Sequence, residues 1–144
     1  MMRRFFPLLL VLAFLLGCLG HFLSRTEPVK ETPYALSFRA EKINGLLLHS
    51  LPNEGARVTV GERTGSILSV KAAPTLLYER RDGVLLSYPS SLLSTLTVTI
   101  ALDAHEKDGR VYLGEKHLAL GDEVCILSDN FSVCARFTGI SAPF

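Results

Sequence analysis

The sequence predicts a mostly β protein with one short helix (α+β), a small pseudo-two-fold β-barrel or sandwich preceded by an N-terminal transmembrane helix. Three observations lead there. Nineteen residues beginning at Phe5 and ending at Leu23 contain no Asp, Glu, Lys or Arg. Residues 95–102 alternate polar with apolar along their whole length, the period of a half-buried strand. A weak internal repeat places two Gly turns, each followed by a hairpin, after two alternating strands. These features divide the chain into a membrane anchor (1–23), a linker (24–33) and a β-rich domain (34–144). Once the anchor is set aside about 120 residues remain, enough for one self-sufficient core.

The uncharged run would span roughly 28 Å as a helix, the thickness of a bilayer core. Pro7 falls in its first turn, where a missing N–H costs little. Arg3 and Arg4 precede the run and favour a cytoplasmic N-terminus, which places the domain outside the cytoplasm. The segment Leu15-Leu16-Gly17-Cys18 is also similar to a lipoprotein signal, with Cys18 as the residue that would carry the lipid. A retained anchor, a lipoprotein and a cleaved signal peptide are the three readings of this end. Residues 24–33 (SRTEPVKETP) are polar, with two prolines, and read as a short extended spacer.

Tyr34, Leu36 and Phe38 alternate with Ser37 and Arg39 in a first strand. Ile43, Leu46, Leu47 and Leu51 then follow helical spacing for about two turns until Pro52. Short strands are expected over 57–60, 66–70, 76–79 and 84–88, and Asp82-Gly83 joins the last two as a hairpin. The repeat matches Leu51, Gly55 and Val58 with Leu118, Gly121 and Val124. Neither half could bury its apolar face alone, which suggests the pseudo-two-fold architecture.

If Asp129-Asn130 is a two-residue turn, the final hairpin sets Ile126 against Val133, Val124 against Ala135, Glu123 against Arg136 and Cys125 against Cys134. One face then carries Val124, Ile126, Phe131, Val133 and Phe137 and belongs to the core, while the other carries the charge pair and both cysteines. Counting from the turn puts Cys125 and Cys134 at a non-hydrogen-bonded pair, where side chains approach most closely and a cross-strand disulfide fits an oxidising compartment.

With the anchor, the alternating first strand, the Gly55 turn and the ending 114–140 in view, the chain resembles the bacterial family called domain of unknown function 4330. The residues that carry the likeness are 35–40, Gly55-Ala56-Arg57-Val58, 65–70, 97–102, Tyr112-Leu113-Gly114 and 120–124. The chain departs from the family pattern at Ala56, where an acidic residue is replaced, and in its short N-terminal tail. The resemblance implies a membrane-anchored β domain and implies no activity, because the family is uncharacterised.

Composition narrows the function classes. Without Arg3 and Arg4, thirteen basic residues face fourteen acidic ones, so residues 24–144 balance to −1. No broad basic face is expected, and nucleic acid is not the partner. His49-Ser50 next to Pro52 is similar to the nucleophile region of membrane-bound signal peptidases, but the nearest lysine, Lys71, has no hydrophobic strand around it, and a serine without a positioned base is not activated. His49, His105 and His117 lack metal-ligand spacing, and Asp103, Glu106 and Asp108 lack that of a calcium loop. Solvated side chains and a turn at Asp108-Gly109 account for them. Arg80-Arg81 at a hairpin tip could touch anionic lipid or a polymer, although each charge is worth only about 1 kcal/mol there.

The expected function is a non-enzymatic binding or assembly module at the outer face of the cytoplasmic membrane. It would be held in lipid by the segment from Phe5 to Leu23 and would engage an envelope protein or polymer, with no cofactor. The alternatives are an accessory subunit acting through its transmembrane helix, an envelope lipoprotein and a membrane-bound hydrolase.

Overall fold

The computed structural model describes residues 6–24 and 30–143, with side chains of the N-terminal helix described over residues 11–20. It divides into two units, Met1–Lys30 and Glu31–Phe144. In the first, α1 (Phe6–Ser24) is nineteen residues long. Phe5, Arg3, Arg4 and residues 25–29 of the linker lie outside the described residues. Leu23 belongs to α1. Among the described residues no helix is long and apolar enough to cross a membrane.

The second unit is built from eight antiparallel strands: β1 (Thr32–Asn44), β2 (Arg57–Val60), β3 (Arg63–Arg81), β4 (Val84–Lys107), β5 (Arg110–Leu113), β6 (Lys116–Leu118), β7 (Glu123–Ser128) and β8 (Phe131–Pro143). Alternation selects their inner faces. Leu36, Phe38 and Ala40 of β1 and Leu96, Val98, Ile100 and Leu102 of β4 are all buried, and they pack with Val58, Val60, Ile67, Ile126 and Phe137. Neighbours run β1-β8-β7-β2-β3-β4, and β4 also pairs with β1, so the ladder of six strands returns to its start. The β5–β6 hairpin extends from the C-terminal end of β4.

The repeat seen in the sequence recurs as hydrogen bonds. Gly55 N–H donates to the Ile67 carbonyl (2.8 Å) and Ile67 N–H returns to that of Ala56 (3.0 Å). Gly121 N–H donates to the Phe137 carbonyl and Phe137 N–H to that of Asp122, both at 2.8 Å. Ile67 in turn lies opposite Ile100 on β4, and Phe137 opposite Phe38 on β1. The two copies meet where Val60 faces Ile126 and where Ser37 faces Thr99, whose hydroxyls are 3.4 Å apart.

Three elements differ from the sequence expectation. The two helical turns after Ile43 reduce to a 3-10 helix, Gly45–Ser50, capped by the Asn44 side chain on Leu46 N–H, with no buried residue. Six residues between a strand and Pro52 cannot nucleate a stable α-helix, and Ile43 remains in β1. The strands expected at 66–70 and 76–79 form one β3 of nineteen residues, and those at 84–88 and 95–102 one β4 of twenty-four. Pro74 does not break β3, because prolines are tolerated at strand edges and bulges and the ladder shifts register between Pro74 and Leu76. The segment 110–118 forms strands β5 and β6, which the short Gly-interrupted sequence did not announce. The last hairpin has the expected register from Glu123↔Arg136 to Ser128↔Phe131. β1 begins at Thr32, and Glu31 already binds Arg63, so the β domain includes residues before 34.

Candidate functional site

The feature that the fold leaves without a structural use is the outer part of the β3–β4 hairpin. β1 accompanies β4 only as far as Asn44↔Leu93. Beyond that point, from Leu76↔Pro89 to Arg81↔Val84, the two strands pair only with each other. Six residue pairs at about 3.4 Å each make an arm roughly 20 Å long. Its tip is Asp82-Gly83, with φ of 51° and 81°, the left-handed pair required by a two-residue I′ turn. The arm leaves the ring at the end of β1 opposite Thr32.

Alternation sorts the arm into two faces. Leu76, Tyr78, Leu85 and Pro89 share one, and Leu77, Val84, Leu86 and Tyr88 share the other. Tyr78 is 65% exposed and Leu85 66%, and Val84 and Leu76 are also more than half exposed. Near its root stand Leu92, 75% exposed, and Leu46 of the 3-10 helix, 77%. A two-stranded ribbon is marginally stable in water by itself, and apolar side chains on both faces are what an uncovered interaction element presents. Counting inward from the turn puts Pro89 on the outward edge of β4, where its missing N–H blocks strand addition. The opposite edge, through Leu76, Tyr78 and Arg80 of β3, has no such block.

At the arm's root lies a groove of about 440 Å³ lined by Arg39, Lys71, Thr75, Tyr78 and Thr97 among others. Thr75 is buried and its hydroxyl meets that of Thr95 at 3.1 Å. None of His49, Ser50 and His117 lines this groove with Lys71. Ser50 Oγ donates to the Leu47 carbonyl at 2.9 Å. The serine, lysine and histidine are therefore not assembled into a nucleophile and base here.

A second groove, of about 620 Å³, is lined by Arg39, Lys42, Glu123, Cys134, Arg136 and neighbours. Arg39 and Arg136 face one another across β1 and β8. The Arg39 Nε is 3.3 Å from Glu41. Cys125 and Cys134 are joined by a disulfide with Cα atoms 4.1 Å apart, while Cys18 is free and exposed on α1. No protein-family model, curated protein or solved structure matches the chain.

The fold also brings together residues that the sequence leaves apart. His105, Tyr112 and His117 lie side by side across β4, β5 and β6. The first two rings stack with centroids 5.1 Å apart, and Tyr112 and His117 are 5.4 Å apart. His105 Nδ1 is buried without a hydrogen-bond partner. Tyr112 separates the two imidazoles, and among the described residues no group of three His, Cys, Asp or Glu side chains could hold a metal ion. A third groove, of about 630 Å³, lies between the β2–β3 turn and the β5–β6 hairpin. There Arg63 binds Glu31 through both nitrogens of its fork, at 2.6 and 3.0 Å.

Proposed function

We propose that the protein is a non-enzymatic binding or assembly module at the outer face of the cytoplasmic membrane, and that the β3–β4 arm is the surface on which it receives an envelope protein. The single observation that carries this reading is the arm's apolar exposure on both faces. Side chains of that kind are ordinarily covered when the molecule is at work. The membrane part rests on the composition of residues 5–23, which hold no charged side chain. A single-pass helix with a cytoplasmic N-terminus is the arrangement that Arg3 and Arg4 favour. We read the closed six-strand ladder as a small barrel, the rigid base from which the arm projects. The likeness to domain of unknown function 4330 rests on the motif residues alone and adds location without chemistry.

Affinity capture of the full chain from native membranes, compared with a Tyr78→Glu/Leu85→Glu variant, tests the reading. Specific protein partners should be recovered with the parent and lost with the variant. Recovery of the same partners by both moves the interface off the arm. The second reading, an accessory subunit that acts through α1, is favoured if residues 31–144 alone recover none of the partners bound by the full chain.

A further inference from the structure

We infer that Cys125–Cys134 is a thiol–disulfide exchange site, opened by a dithiol reductant that attacks Cys125, with Cys134 leaving as the thiolate beside Arg39 and Arg136. Both cysteines are exposed on the outer face of the sheet, whereas the alternate residues Val124, Ile126, Val133 and Ala135 are buried beneath them. The bond joins strands already held in register from Glu123↔Arg136 to Ser128↔Phe131. Its cleavage therefore leaves both the ladder and the core contacts in place. An exposed disulfide with no core to shield it belongs to the labile class.

The charges around the two sulfurs differ. Cys134 lies two residues from Arg136 on the same face of β8, and Arg136 faces Arg39 of β1. All three line the groove of about 620 Å³, together with Lys42 and the carboxylates Glu41 and Glu123. Among the described residues Arg136 makes no ion pair, while Arg39 shares its charge with Glu41. Glu123, directly opposite Arg136 in the ladder, lies two residues from Cys125 on β7, and Cys125 does not line the groove that holds the three cations. Nearby cations stabilise a thiolate and a nearby carboxylate opposes one, and the sulfur with the lower thiol pKa leaves faster.

The step follows from that asymmetry. A thiolate of the reductant attacks Sγ of Cys125, the S–S bond breaks, and Sγ of Cys134 departs with the electron pair. The second thiol of the reductant, as thiolate, then attacks the mixed disulfide and releases Cys125, which takes a proton from water. Two electrons have passed to the cysteine pair, and the reductant has become a disulfide.

The test uses the full chain in detergent micelles with dithiothreitol as the dithiol, alkylation at timed intervals and mass spectrometry. Both thiols should appear while far-ultraviolet circular dichroism keeps its β signal. Arg136→Glu should slow the reduction at least threefold, whereas Arg136→Lys and the distant Arg80→Glu should not. With glutathione in place of dithiothreitol, the trapped adduct should map to Cys125 and the alkylated thiol to Cys134. Opening of the bond only as the sheet unfolds, equal rates for parent and Arg136→Glu, equal slowing by Arg80→Glu, or an adduct chiefly on Cys134 would each overturn the inference.

Discussion

Asp122 and Ala56 occupy the same place in the two Gly turns, yet only Asp122 closes its turn with a side chain. Its Oδ2 accepts Ala119 N–H at 2.8 Å, in addition to the backbone bond from Asp122 N–H to the Ala119 carbonyl at 3.0 Å. In the first copy Ala56 N–H reaches the Asn53 carbonyl at 3.1 Å and no side chain follows. Asp122→Ala should therefore cost about 1 kcal/mol. Ala56→Asp should gain a comparable amount by supplying the missing acceptor to Asn53 N–H, and urea unfolding of the two variants measures both. Gly65 is limited in a different way, since a Cβ there would strike the Ala101 carbonyl and the Leu102 side chain. Gly65→Ala should destabilise the domain by about 1–3 kcal/mol, as overpacking does, seen as a fall in thermal midpoint. These positions were only half legible in the sequence. The Gly turns stood out because repeated spacing marks them, whereas the close approach of Gly65 to β4 joins segments too far apart in the chain to be read.

Among the elements, hairpins were the most legible. Asp82-Gly83 and Asp129-Asn130 announce their turns, and once the turn is placed a period of two assigns every side chain of the two flanking strands to a face. That is why Cys125 and Cys134 could be paired before any tertiary information. The helix after β1 was misread because four apolar residues at helical spacing are too few to distinguish a helix from a strand end followed by a short 3-10 turn. The strands expected at 66–70 and 76–79 are one β3 because a bulge lets the ladder continue past Pro74. At this scale the arm yields its own expectation. Neither Tyr78 nor Leu85 belongs to the core, so the thermal midpoint of Tyr78→Glu/Leu85→Glu should stay within about 2 °C of the parent while partner capture falls. A large loss of stability would mean that the arm packs on its own domain.

For the whole molecule, the closed ladder explains why one domain suffices. β1 meets β4, β2 meets β7, and the core of both halves is common, so neither half would be expected to fold alone. Deletion of residues 1–24 should leave a protein with a β-type circular dichroism spectrum that no longer floats with vesicles. Continued flotation would remove the anchor from the account. By itself the sequence determined what depends on neighbours along the chain: the β period, the turn positions, the final register and an uncharged N-terminal run. Backbone φ preference and side-chain alternation are local properties, so they can be read without a fold. Tertiary structure alone decided which strands meet, that the β3–β4 hairpin outruns its support, and that Arg39 stands across from Arg136 and Tyr112 between two histidines. Those outcomes depend on pairing between segments distant in sequence, where many arrangements bury the same apolar residues and only the packed whole selects one.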